Sequence, residues 1–222
     1  MRAQEDEAPV QTVQEEERPP APKRYYVFSP RVSVTVPHPI GNASFKQSFV
    51  GIYEASAGLN LYLFKGVFIG ATYKNGLLKI TENKIADFNA SMYVNNAGGR
   101  IGADMYLGDR NRVIYSASVT VGQNWTRYTG LVAKDASKII PASYTCTYYE
   151  PEMSIFFLIE SNFGIGGTVG YSVFNKNFDP YELSLNDWTQ FSKNVAGNTQ
   201  YISFGFGFYY SLLAKKTKKG SY

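Results

Sequence analysis

Two glutamates one residue apart, Glu150-Pro151-Glu152, and a single histidine, His38 between Pro37 and Pro39, are the residues whose types suit acid–base chemistry. A carboxylate pair can serve a hydrolase as acid and base, and an imidazole is a general base near neutral pH. Neither carries a spacing that fixes partners. Residues two apart on a strand share a face, so Glu150 and Glu152 read more simply as meeting bases across an interior. Pro151 between them, pointing the other way, predicts a bulge or kink. His38 falls in an expected loop with no Ser or Asp partner set by spacing. The lone Cys146 excludes an internal disulfide and a cysteine-based zinc or iron–sulfur site within one chain, and one histidine excludes a multi-histidine metal site. Gly164, Gly166, Gly167 and Gly170 look superficially like a phosphate-cradling loop. They recur at strand period with no helix after them, and they are expected to stand opposite bulky interior side chains. No cofactor and no catalytic residue is expected.

The elements that must position these residues are strands. Eight stretches alternate apolar with small or polar residues, the pattern of a β-strand with two different faces. The first runs from about Tyr25 to Val36, with Val32, Val34 and Val36 opposite Arg31, Ser33 and Thr35. The second, about Ser48 to Phe64, sets Phe49, Tyr53, Leu59, Leu61 and Leu63 against Glu54, Ser56, Gly58 and Asn60. The third places Ile69, Ala71 and Tyr73 against Thr72 and Lys74; the fourth, about Ala90 to Leu107, places Ile101, Ala103 and Met105 against Arg100 and Asp104. The fifth sets Val119, Val121 and Trp125 against Ser116, Ser118 and Thr120, and the sixth, about Tyr144 to Glu160, sets Met153, Ile155 and Phe157 against Glu150, Glu152 and Ser154. In the seventh, Ile165, Val169 and Tyr171 oppose Gly164, Gly166 and Thr168. The eighth is the most regular: Ile202, Phe204, Phe206, Phe208, Tyr210 and Leu212 alternate with Ser203, Gly205, Gly207, Tyr209 and Ser211. The gaps near 64–66, 108–112 and 161–163 are short; those near 37–47, 81–89, 127–143 and 176–199 are long.

This rhythm, with strands of 10 to 17 residues, predicts an all-β fold: a transmembrane antiparallel up-and-down β-barrel of eight strands with a filled lumen. A soluble β-sandwich is the alternative. Against it stand a polar face of Gly and Ser rather than long charged residues, and aromatics at strand ends suited to interfacial girdles, namely Tyr25, Tyr26, Trp125 and Tyr128. The mean hydropathy of −0.24 does not contradict a membrane wall, because only alternate residues meet lipid. No apolar run approaches the roughly 18 residues of a transmembrane helix.

The barrel is expected over residues 25–213. Residues 1–24 carry six acids and four bases, end in Pro19-Pro20-Ala21-Pro22 and lack aromatics, so they read as a disordered tail. Residues 214–222 form a basic tail holding Lys215, Lys216, Lys218 and Lys219. The nearly balanced middle offers no broad basic face for nucleic acid. Met1-Arg2-Ala3-Gln4 shows no apolar leader segment, so the chain is expected to be a mature or late-starting form.

From Tyr25 to Leu212 the chain resembles the small eight-stranded outer-membrane barrels of the OmpA/OmpX type. Phe204-Gly205-Phe206-Gly207-Phe208 is similar to the aromatic-alternating last strand that the barrel assembly machinery reads, although residues 214–222 follow it here. The resemblance is architectural and carries no activity. It implies the outer membrane of a Gram-negative bacterium, a lipid-bilayer partner and both termini in the periplasm.

Within such a barrel, Arg31, Glu54, Lys74, Arg100, Asp104, Glu150 and Glu152 are expected to form a lumen ion-pair cluster, since buried charges need partners. Their pairing is left open. The long fourth loop, with Tyr181, Leu183, Leu185, Trp188 and Phe191, is a candidate surface for packing on the rim or on a protein partner. The expected role is a non-enzymatic structural or accessory subunit engaging other envelope proteins. A surface adhesin or receptor, and a lipid-modifying enzyme using His38, are the alternatives.

Overall fold

The computed structural model describes residues 26–64, 66–80, 90–107, 112–129, 143–160, 162–179 and 197–213. Both tails, Tyr25 and the loop residues Tyr181, Leu183, Leu185, Trp188 and Phe191 lie outside the described residues.

Alternating sequence becomes alternating burial along long strands. These are β1 (Tyr26–Gly41), β2 (Phe49–Phe64), β3 (Val67–Ile80), β4 (Ser91–Leu107), β5 (Val113–Thr129), β6 (Ser143–Leu158), β7 (Phe163–Asn177) and β8 (Asn198–Tyr210). A two-residue β9 (Leu212–Leu213) continues β8 past Ser211, and a short helix α1 (Ala43–Ser48) joins β1 to β2. Each strand runs antiparallel to its neighbours, and β1 pairs with both β2 and β8, so the sheet closes on itself. Closure supplies the backbone partners that hydrocarbon cannot, which is why closed barrels span membranes. Exposed Val32, Leu61, Ile69, Ile101, Val119, Phe157, Ile165 and Phe206 then make a continuous apolar exterior.

The first connection departs from the sequence expectation. Pro37-His38-Pro39 is not a loop: β1 runs through it to Gly41, with His38 exposed on the outer face opposite Ile202. The reason lies in the pairing. The β1–β2 ladder ends at Thr35↔Glu54, whereas β1 continues along β8 to Gly41↔Thr199. From Val36 onward β1 has one ladder partner, and a strand with one open edge tolerates prolines that lack an N–H. The upper seam between β1 and β2 closes by contact instead. A Cβ added at Gly51 would come within 1.7 Å of the Pro37 carbonyl oxygen, so only glycine fits there.

Three further expectations are corrected. A register shift between Gly51 and Tyr53 leaves Ile52 and Tyr53 both exposed and turns Phe49 inward, where it is buried; a bulge reverses every face beyond it. Tyr128 points into the lumen, not to the membrane interface: it is three residues from outward Trp125, an odd step that changes face. Pro151 produces no bulge, although the β6–β7 ladder lacks pairs at Glu150 and Pro151. Tyr149↔Val173 and Glu152↔Gly170 keep one register across it, and its pairing with Val119 on β5 is continuous.

Candidate functional site

The interior is stacked in layers. At the short-turn end Ile114, Phe156, Leu158 and Tyr209 form an aromatic and aliphatic floor. Lys74, Arg31, Arg100, Glu54, Asp104 and Glu150 are all buried in the layer above it. At the long-loop end Leu78, Ile80, Met92, Val94, Tyr128, Tyr148, Phe174 and Tyr201 point inward and pack beneath Phe45, Phe49 and Phe178. Phe45 comes from α1, so the first connection is folded into the mouth. Asn42 holds it there. Its side chain accepts from the Phe45 N–H as the helix N-cap, and donates to the carbonyls of Phe178 and Gly197, at 3.2 and 3.1 Å.

The seven charged residues singled out in the sequence meet in three groups. Nearest the floor, Arg31 donates to Asp104 Oδ2 and to Ser116 Oγ, each at 2.6 Å. Its guanidinium also lies over the rings of Phe68, Tyr209 and Phe156, at 5.0, 5.2 and 5.6 Å from their centroids. Tyr62 donates its hydroxyl proton to Asp104. A carboxylate only accepts, so the contacts Tyr106–Tyr209 and Tyr209–Tyr62, at 3.3 and 3.2 Å, form a hydroxyl chain directed at Asp104. Next, Arg100 donates to Glu152 at 2.9 Å and to Ser118 at 2.6 Å. Highest, Lys74 pairs with Glu150, lies 3.4 Å from Glu152 and 3.7 Å from Glu54. Ser172 donates to Glu150 at 2.7 Å, and Glu54 accepts from Tyr201 and from Thr35.

This arrangement reads as scaffolding. Every carboxylate has a cation or a hydroxyl donor within the layer; Arg31 lies against three rings and Arg100 over that of Phe68, while Lys74 is enclosed by its three glutamates. The void between Arg31, Arg100 and Glu152 holds about 10 Å³ for a solvent centre, the size of one water molecule. Among the described residues, no group of three or more His, Cys, Asp or Glu side chains is placed to hold a metal ion. Cys146 is half-buried against the upper apolar cluster, 3.6 Å from Asn124 Oδ1.

The outer wall carries the other candidates. Phe204, Phe206, Phe208, Tyr210 and Leu212 are exposed and Ile202 partly so; Phe206 reaches 78% exposure beside Gly167, which has no side chain. Phe206 and Gly167, with Phe157, Ile165 and Phe208, border an apolar outer groove of about 430 Å³. Trp125 is exposed on this wall. Tyr26 opens β1 opposite Leu213, so both ends of the described chain leave the barrel at the short-turn end. Asn42, Phe45, Tyr62 and Tyr201 also bind the layers together and were not singled out in the sequence, whereas Tyr209 was placed on the inward face of the last strand and is buried there. Tyr201 and Tyr209 were legible as inward positions of β8; α1 is too short to show a period.

No protein-family model matches the sequence, and neither does any curated protein. Solved structures do match in fold. The crystal structure of Neisserial surface protein A is similar at 10% identity, over 83% of this chain and 97% of that one, with a TM-score of 0.55. OprG of Pseudomonas aeruginosa is similar at 10% identity, over 86% and 98% of the two chains, with a TM-score of 0.48. Ail of Yersinia pestis is similar at 7% identity, over 85% and 100%, with a TM-score of 0.49.

Proposed function

We propose that this chain is an integral barrel of a Gram-negative outer membrane that works without catalysis, as a structural or accessory subunit of an envelope assembly. The observation that carries this reading is the filled lumen. The ion-pair layer and the apolar layer above it occupy the interior, and what remains for interaction is the outer wall, the rims and the tails. The fold shared with Neisserial surface protein A, by its name a surface protein, supports the membrane assignment. On this reading the short-turn end and both tails face the periplasm and the long connections face outward, as in outer-membrane barrels generally. The aromatic last strand, Phe204 to Tyr210, is the segment offered to the barrel assembly machinery during insertion.

The test is crosslinking in intact cells followed by purification from membranes. Stoichiometric recovery of envelope proteins is expected. Recovery of the barrel alone contradicts the subunit role and leaves the adhesin or receptor reading, with the loop residues Tyr181 to Phe191 as its surface. For the enzymatic alternative, His38→Ala is expected to leave lipid A composition unchanged. His38 stands outward on β1 between two buried prolines, and an altered lipid A profile would establish catalysis.

A further inference from the structure

At the long-loop end the outer wall differs in chemistry from one side of the barrel to the other. On the side of β1 and β2 Val36, Val50 and Ile52 are exposed, with His38 and Tyr53 among them, and no lysine or arginine of either strand faces outward there. On β3 to β5 the outward residues change character. Asn75, Asn95 and Trp125 stand side by side in one row of the ladder; Tyr93 and Arg127 are paired in the row above; Lys79 pairs with Ser91 one row higher. Lys79, Arg127, Tyr93 and Trp125 are all exposed. Neither Lys79 nor Arg127 has an ion pair among the described residues. The strand carboxylates Glu54, Asp104, Glu150 and Glu152 all point into the lumen, so no strand acid neutralises this outward patch.

The patch has the geometry of a site. Lys79 and Arg127 are two strand spacings apart, about 10 Å, and offset by two residues, about 7 Å along the strands. Tyr93 lies between them, and both long side chains can reach one anion above its ring. Below, Asn75 and Tyr73 donate to Asn95 Oδ1, at 2.8 and 2.9 Å, which fixes that amide and leaves its N–H groups as donors. Further down the same face of β4 stand Ala97 and then Gly99, where a Cβ would find open space to 4.0 Å. Small outward residues there make a shallow track leading into the apolar wall.

We propose that Lys79, Tyr93 and Arg127, with Trp125 and Asn95 beneath them, bind the phosphorylated sugar headgroup of a glycolipid in the leaflet nearest the long loops. The two cations take the phosphate. The aromatic faces suit the interface and the apolar faces of a sugar ring, and the amide donates to sugar hydroxyls. The acyl chains run down the track over Ala97 and Gly99. The outer wall of β1 and β2 has Tyr53 and His38 but no lysine or arginine, so it lacks the pair of cations that takes the phosphate.

The chain has two tryptophans, Trp125 and Trp188, so Trp188→Phe leaves Trp125 as the single emitter inside the proposed site. In detergent micelles, this variant is titrated with bisphosphorylated lipid A, with fully dephosphorylated lipid A and with phosphatidylglycerol. The bisphosphorylated form is expected to shift Trp125 emission at the lowest concentration. Adding Lys79→Gln and Arg127→Gln is expected to weaken it about thirty-fold, since each cation near a membrane surface contributes about one factor of five. Both positions are exposed, so folding is retained; heat-modifiable gel mobility checks it. On the unmodified charges, affinity is expected to fall as salt rises. Equal binding of the dephosphorylated form, an unchanged double variant or salt-independent affinity overturns the proposal. Equal binding of phosphatidylglycerol overturns the sugar recognition, leaving charge attraction alone.

Discussion

Lys74 is the residue on which the interior depends most. It is the shared cation of Glu54, Glu150 and Glu152, and all but Glu152 are almost wholly buried. A methionine there keeps the volume and leaves Glu54 and Glu150 without a cation. Lys74→Met is therefore expected to cost about 3 kcal/mol or more in urea unfolding from lipid vesicles. Adding Glu54→Gln and Glu150→Gln is expected to recover much of the loss, because the penalty arises from the stranded charges and not from the missing ion pairs. A loss under about 1 kcal/mol for the single variant would mean that the charged layer does not hold the lumen. That these seven residues face inward was readable from parity along each strand. Their partners were not. Arg31 meets Asp104 and not a glutamate because β1 and β4 bring them to one level, and that level depends on the stagger of the closed sheet.

At the scale of elements, the upper seam between β1 and β2 is the weak place in the wall. Above Thr35↔Glu54 the two strands touch without a ladder. Backbone amides of Val50 to Tyr53 that face β1 are expected to exchange with deuterium faster than amides at the same height between β4 and β5; equal protection would contradict the seam. Gly51→Val places side-chain carbon onto the Pro37 carbonyl and is expected to destabilise the barrel by about 2 kcal/mol, as overpacking does, measured by the same urea unfolding. Strand positions and the short turns were legible because two-residue periodicity is strong over ten or more residues. The continuation of β1 through Pro37-His38-Pro39 was not, because prolines mark a loop unless one edge of the strand is open, and an open edge is a property of the partner strand. Phe49 was placed on the wrong face because Gly51, though a glycine within a strand can mark a bulge, fits a regular small-residue position equally well, and only the pairing with β3 separates the two. Tyr128 was within reach, since counting from Trp125 gives its face, but an aromatic near a strand end invites an interfacial reading.

At the scale of the whole molecule, a packed interior is joined to an apolar exterior. The layers from Ile114 and Phe156 up to Phe45 and Phe178 leave no space for a porin-type aqueous path. In planar bilayers the purified protein is expected to give no steady conductance above background; regular single-channel steps would show that the lumen is open. The exterior claim is tested most directly by nitroxide labels placed singly along β8, in a Cys146→Ala background and in lipid vesicles. Labels at 204, 206 and 208 are expected to collide readily with oxygen, which concentrates in hydrocarbon, and poorly with a water-soluble nickel chelate. Labels at 203 and 209 are expected to be shielded from both. Chelate access at 204, 206 and 208 equal to or above their oxygen access would put water against Phe204, Phe206 and Phe208 and contradict the membrane barrel.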